Sequence, residues 1–293
     1  MNPLNILSTL SGVGSTSAEE SRSLSTASLL AGNTLYYGLL TLSLAVLVLP
    51  VIIVVAVSFT ATDFQTFPPQ GLSLRWYEAF FESQFYDAFF FVSLPIAIVT
   101  GVASTVLGIL AAYGVVRRDL PFENEVVLYF LLPLIFPPAI IALALMVIFN
   151  TSVISSLPAY LQITAGHIVI TIPYTFLTAM TALRSIDTEL EEAARNLGAS
   201  QFEAFRKVTL PLMRSGVVSG FLLAFILSFT DSVIALFLSG GATTTLPVRV
   251  FLFLQFDSSP LVAATATIQI LLVLVLVLLV GRLVGFKAVT TNV

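Results

Sequence analysis

The chain has 293 residues, of which 57% are hydrophobic and only 10% charged, with a formal net charge of −4 and a mean hydropathy of +1.02. A soluble domain carries roughly 25% Asp, Glu, Lys and Arg, so this composition excludes a soluble enzyme, a disordered chain and a nucleic-acid binder. No cysteine is present, which removes disulfides, thiolate nucleophiles and cysteine metal sites.

Residues 1–34 hold twelve Ser or Thr and little apolar periodicity, and read as a mobile tail. A cleaved signal peptide is not expected, because the first apolar run starts late, is too long and lacks a basic flank. A membrane helix needs about 20 mainly apolar residues, and six stretches qualify: about Leu35–Phe59, Phe89–Val116, Val126–Phe149, Thr164–Leu183, Val217–Leu238 and Ala263–Val284. Their continuous apolar character fits helices and not the alternating strands of an outer-membrane barrel. The loop after the first stretch, about Thr60–Ala88, contains Pro68, Pro69, Gly71, Trp76 and Tyr77. Trp76 and Tyr77 suit a membrane–water interface. In the fourth stretch Pro173 interrupts the helix, and His167 reads as an interfacial polar residue near its outer end, with no acids beside it to form a metal site. Asp231 lies about 14 residues into the fifth stretch, or roughly 20 Å along it at 1.5 Å per residue. A small-residue stripe, Gly216, Gly220, Ala224 and Ser228, reads as a helix-packing face.

Lys and Arg placement sets orientation. Ten of the twelve basic residues fall on one side of the six-span scheme. They are Arg22, then Arg117 and Arg118, then Arg184, Arg195, Arg206, Lys207 and Arg214, then Arg282 and Lys287. Only Arg75 and Arg249 fall on the other. Both termini are therefore expected in the cytoplasm.

The segment from Arg184 to Pro211 is the one soluble-looking stretch. Asp187 is a good N-cap, followed by Glu189, Glu191 and Glu192 in the first turns, where the helix dipole favours negative charge. Leu190, Ala194 and Leu197 share a face, and Gly198 stops the helix. Ser200 and Glu203 have the spacing of a capping box. Phe202, Phe205 and Val208 or Thr209 form the apolar side of a second helix, which Pro211 ends. Physics alone allows an amphipathic connector resting on the membrane. The spacing says more: Glu192-Ala193-Ala194, three residues, Gly198, nine residues, Val208, one residue, Leu210-Pro211. This is the EAA-loop pattern, with Val208 where Ile is usual, and it resembles the permease subunits of type I ABC importers. Gly71–Tyr77, Glu192–Ala199, Phe225–Val233 and Leu246-Pro247 with Val250 extend the likeness towards the spermidine/putrescine permease subgroup. Permeases for iron, sulfate, molybdate, thiamine or phosphonates share parts of these stretches.

The resemblance implies an all-α membrane protein with six transmembrane helices, a permease core over 89–284, a preceding span and outer loop over 35–88, and cytoplasmic tails over 1–34 and 285–293. It implies an ATPase-coupling role for Glu192, Ala193, Ala194, Gly198, Leu210 and Pro211. It also implies partners: a homodimeric ATP-binding subunit, a second permease that is a different chain, an extracytoplasmic solute-binding protein and the bilayer of the inner membrane. The residues are consistent with that division of labour. No Gly-x-x-x-x-Gly-Lys-Ser/Thr loop exists, and the only lysines, Lys207 and Lys287, do not follow glycine. No cofactor, metal or catalytic residue is expected. For a polyamine importer, Asp231 is the substrate-pathway residue, since a carboxylate there would attract the cation. The alternative is helix packing through Ser228, Ser232 or a neighbour. An aspartyl intramembrane protease needs two acids, and a serine-type one needs a base beside the serine. An ATP-independent secondary transporter built on inverted repeats finds no internal repeat here.

Overall fold

The computed structural model of the chain describes residues 33, 35–118, 121–151, 156–240 and 243–284. The expected tails, with Arg22 and Lys287, lie outside the described residues. The chain divides into two compact units, Met1–Ala56 and Val57–Val293. An apolar helix, α1, runs over Leu35–Val57 and makes up nearly all of what is described of the first unit.

The second unit begins with a looped segment and a short helix, α2 (Arg75–Glu82). Trp76 Nε1 donates to the Thr60 carbonyl at 3.0 Å, and the Arg75 guanidinium lies 4.5 Å from the Trp76 ring centre. Tyr77 and Ser58 share a hydrogen bond of 2.7 Å. The aromatic pair expected at the interface thus also ties its own loop together.

Helix α3 (Gln84–Val116) is continuous for 33 residues and includes a π-helical stretch at Ala88–Ser93. After it come α4 (Glu123–Ile135), α5 (Pro138–Thr151), α6 (Ala159–Arg184), α7 (Thr188–Asn196), α8 (Gln201–Leu212), α9 (Arg214–Thr230), α10 (Val233–Leu238), α11 (Leu246–Leu254) and α12 (Leu261–Val284). No named strand occurs among the described residues.

Four helices are individually long and apolar enough to cross a membrane, and up to six spans exist if each bent pair counts as one. The expected third and fifth spans are therefore not single rods. Between α4 and α5 the axis turns by 98°. Phe136 is extended there, at ψ 140°, because the ring of a following proline drives the preceding residue out of the helical region, and Pro138 then opens α5. The expected fifth span, Val217–Leu238, starts earlier, at Arg214, after a 74° bend from α8. It stops at Thr230, because Asp231 is extended at φ −66° and ψ 129°. Short polar side chains compete with the helix for backbone hydrogen bonds, and Asp231 Oδ2 accepts from Ala235 N at 3.1 Å, capping α10 instead of extending α9.

Pro173 does not break α6. Thr hydroxyls on either side of the proline bond back onto the same helix, those of Thr171, Thr175 and Thr178 donating to the carbonyls of His167, Ile172 and Tyr174. The core is the trio α3, α6 and α9. A Cβ on Gly108 would lie 2.4 Å from Thr175 Oγ1 and 2.8 Å from Phe176 N, and one on Gly216 would lie 2.5 Å from Ala182 Cβ and 2.8 Å from the Thr178 carbonyl oxygen. Only glycine allows these backbones to approach so closely. The small-residue stripe on α9 is thus a packing face against α6.

Candidate functional site

Helices α7 and α8 form the hairpin expected from the sequence. Asp187 caps α7 by accepting from Glu189 N at 3.0 Å. The end of α7 is a complete Schellman motif: Gly198 N donates to the Arg195 carbonyl at 2.9 Å and Ala199 N to the Ala194 carbonyl at 3.1 Å. Gly198 has φ +94° and open space around its α-carbon, so backbone conformation, not crowding, requires glycine there. Ser200 and Glu203 form the reciprocal capping box. The Ser200 backbone bond and the Lys207 ammonium draw the Glu203 carboxyl down to about 2. The helix after it runs one residue past Pro211, to Leu212.

Glu192, Ala193, Gly198 and Pro211 are exposed, and Ala194 and Leu210 are half-buried. Glu192 borders a polar recess of ≈ 540 Å³ with Arg195, Asn196, Ala199, Ser200 and Gln201. The apolar residues Leu190, Leu197, Phe202 and Leu212 are also exposed, Leu197 at 90%. This is the reverse of an ordinary amphipathic helix, whose apolar face packs inward.

The inward face of α7 carries an acid instead. Glu191 is buried. Its Oε1 accepts from Arg117 Nε at 2.8 Å, with side-chain exposures of 11% and 8%. Its Oε2 accepts from Tyr113 Oη at 3.0 Å. Arg117 NH2 also donates to the Ile186 carbonyl at 3.2 Å, and the Tyr113 ring meets Phe205 edge-on at 5.0 Å. Burial pushes the Glu191 carboxyl up, but the Thr209 hydroxyl, the Arg117 guanidinium and the Tyr113 hydroxyl pull it down, and the pull prevails. Sequence reasoning singled out Glu192 and counted Arg117 only as an orientation signal. The available clue was the Glu191-Glu192 doublet. Neighbouring helical residues point about 100° apart, so both could not face outward equally.

The second cluster lies inside the helix bundle. His167 was expected at an interface, away from acids; it is fully buried, and its Nε2 is 3.3 Å from Asp231 Oδ2. The reason is register: α6 begins at Ala159 and not Thr164, which puts His167 about two turns inside the helix. On the other ring nitrogen, His167 Nδ1 lies 2.7 Å from Ser228 Oγ. Asp231 faces His167 and accepts from the Ala235 amide; of the expected packing partners, Ser228, Ser232 or a neighbour, it is a neighbour that bonds it. Ser228, His167 and Asp231 run Ser–His–Asp like a hydrolase triad, but with the ring nitrogens exchanged, the serine on Nδ1 and the acid beside Nε2. Against a serine-type enzyme stood the place of His167 on a different span and near the surface; the different span holds, and the surface position does not. The arrangement is nonetheless closed to an acyl group, since Ser228 is 4% and His167 0% exposed. Ser228 and His167 share a buried hydrogen bond, while His167 Nε2 makes none and only lies within ion-pair distance of the half-buried Asp231. Among the described residues no group of three or more His, Cys, Asp or Glu could hold a metal.

Residues 104–287 match the family described as the binding-protein-dependent transport system inner membrane component. The chain is 33% identical over 223 residues to the spermidine/putrescine transport system permease protein PotC of Haemophilus influenzae, covering 76% of this chain and 86% of that protein. It is 33% identical over 234 residues to the putrescine transport system permease protein PotI of Escherichia coli K12, covering 78% and 83%. Among solved structures, a bacterial alginate ABC transporter in complex with an alginate pentasaccharide-bound periplasmic protein superposes with a TM-score of 0.63 at 16% identity, over 88% of this chain and 96% of that one. That likeness extends to the fold.

Proposed function

Because the chain belongs to the family of binding-protein-dependent transport system inner membrane components, the permease subunits of ABC importers, we propose that it carries polyamines and is driven through the α7–α8 hairpin by a separate ATP-binding subunit. The observation that carries the coupling reading is the outward presentation of Glu192, Ala193 and Gly198 beside the exposed Leu190, Leu197 and Phe202. Such a surface offers a partner apolar contacts, one carboxylate for a basic group and a rigid turn. Leu210 and Pro211 stand at the base of the same hairpin, against the 74° bend. Closure of an ATPase dimer would move this hairpin and rock the bundle between inward-facing and outward-facing states.

The partners are a homodimeric ATP-binding subunit on the cytoplasmic side, a second permease of different sequence, and an extracytoplasmic binding protein that delivers the solute. Both termini are cytoplasmic in this reading, and residues 89–284 are the permease core. Two polyamine permeases among the relatives support the substrate class.

Within the bundle, Asp231 is the pathway acid. An Asp in mid-membrane costs about 2.5–3.5 kcal/mol on insertion scales. Here its position at a helix break, with 11% of the side chain accessible, supports a role in meeting a cationic solute. The arriving ammonium would compete with His167 for the carboxylate.

The deciding experiment purifies the assembled complex and measures which solute-loaded binding protein stimulates ATP hydrolysis. Putrescine- or spermidine-loaded protein is expected to do so; stimulation only by an iron-, thiamine-, phosphonate- or oxyanion-loaded one removes the polyamine assignment. Glu192→Lys or Gly198→Pro should abolish uptake and uncouple hydrolysis without preventing membrane insertion, and normal transport in either refutes the coupling role. Asp231→Asn should weaken uptake roughly tenfold if a charge-assisted contact is lost; unchanged uptake kinetics remove Asp231 from the pathway.

A further inference from the structure

An importer needs more than a docking surface. The hairpin that receives the push must be fastened to a membrane helix, or the push is absorbed locally. The chain links between α6 and α7 and between α8 and α9 are a turn and a 74° bend, and a bend is a poor transmitter of force.

One cluster crosses this gap without using the chain. Arg117 and Tyr113 come from the last turn of α3 and the residue that caps it. Both reach the Glu191 carboxylate, at 2.8 Å and 3.0 Å. Arg117 also holds the Ile186 carbonyl just before α7, and Tyr113 packs on Phe205 in α8. One end of α3 therefore grips both helices of the hairpin and the segment leading into it. The grip is directional and nearly dry. Charge-assisted bonds are short and about twice as strong as neutral ones, and exclusion from water strengthens them further. Beyond this grip, α3 packs along α6 and α9 with no space for a Cβ at Gly108.

We propose that Glu191, Arg117 and Tyr113 are positioning residues that lock the α7–α8 hairpin to α3, so that hairpin and helix move as one body when the ATP-binding subunit closes. The inference rests on the coupling role assigned to the hairpin. It gives the two adjacent acids separate tasks: Glu192 faces the partner, and Glu191 faces inward and holds the lever to the bundle.

The absence of cysteine allows spin labels to be placed at chosen sites. Arg206→Cys, outside the surface assigned to the partner, reports on the hairpin and Leu110→Cys on α3; both side chains are exposed. Pulsed EPR on the assembled importer in vesicles should give one narrow inter-label distance that is the same without nucleotide and with ATP and vanadate. Glu191→Gln should broaden it and make it shift with nucleotide. In the same vesicles the solute imported per ATP hydrolysed should fall roughly fivefold or more, the lower range of typical coupling between sites. Exchanging the pair, Arg117→Glu with Glu191→Arg, should narrow the distribution again. Should Glu191→Gln fail to assemble, Tyr113→Phe removes one hydrogen bond while keeping the ring against Phe205, and should broaden the distance more mildly. A wild-type distance that shifts with nucleotide overturns the proposal. So does a narrow, nucleotide-independent distance in Glu191→Gln, or in Tyr113→Phe if that is the variant that assembles. Failure of the underlying coupling role shows separately: a label placed instead at Leu197, on the docking surface, would keep its mobility when the ATP-binding subunit is added.

Discussion

Glu191 and Asp231 are both acids drawn out of water, and they are held in different ways. Glu191 meets a permanent cation and a phenol. Asp231 meets an imidazole, which is a cation only when protonated, and a backbone amide. The first arrangement is complete at any pH where the carboxylate is ionised. The second is conditional, because the histidine can be neutral and a competing cation can take its place. Under the proposed roles, a fixed connection suits the hairpin that would transmit movement, and a conditional one the acid that would meet and release the solute.

The comparison can be broken most forcefully at Arg117. Arg117→Met leaves the Glu191 charge buried without a counter-ion, a change that costs about 3–5 kcal/mol when one partner of a buried pair is removed. The thermal unfolding midpoint of the purified protein in detergent should fall accordingly; a midpoint within error of the parent would mean that water already screens the pair. His167→Leu strips the buried Ser228 hydroxyl of its partner, and an unsatisfied buried group costs about 1–3 kcal/mol. The same measurement should show a loss, smaller than that from Arg117→Met if the fixed pair is the stronger of the two. Ser200→Ala, which removes only the exposed capping box, should cost about 1 kcal/mol and leave both acids undisturbed.

Acid titration separates the fixed pair from its surroundings. The folded Glu191 carboxyl lies below its ordinary value of 4.5. Its stabilisation is therefore fully present above that value and is lost as pH falls through the lowered folded one. Stability measured from neutral pH down through the carboxylate range should show this loss, and Glu191→Gln should flatten it. Glu203, drawn to about 2, contributes in the same direction with its loss completed near that pH, so the two can be resolved with Ser200→Ala in hand.

The hairpin was readable residue by residue because its signals are local. Asp187, Gly198 and the Ser200/Glu203 pair each act on backbone within a few residues, and each forms the cap its chemistry favours. Composition likewise supplied the membrane helices. What remained hidden was partnership across the fold. Nothing near His167 in sequence announces Asp231, and nothing near Arg117 announces Glu191, because helix packing makes those pairs. The two expected spans that break show a different difficulty. Phe136-Pro137-Pro138 and Asp231 were visible, but hydropathy averages over a window and registers a sharp corner only weakly.

The close approach at Gly108 and Gly216 leaves three helices meshed like cogs without backlash. Such a set cannot take up an input by compressing. Under the proposed coupling, a displacement delivered at one end would be passed on, and the bends at Phe136-Pro137, at Met213 and at Asp231 offer it places to become rotation. In the proposed cycle those corners would serve as bearings, and the acid at the last of them sits 3.3 Å from His167, where a small turn of the shaft would open or shut the contact.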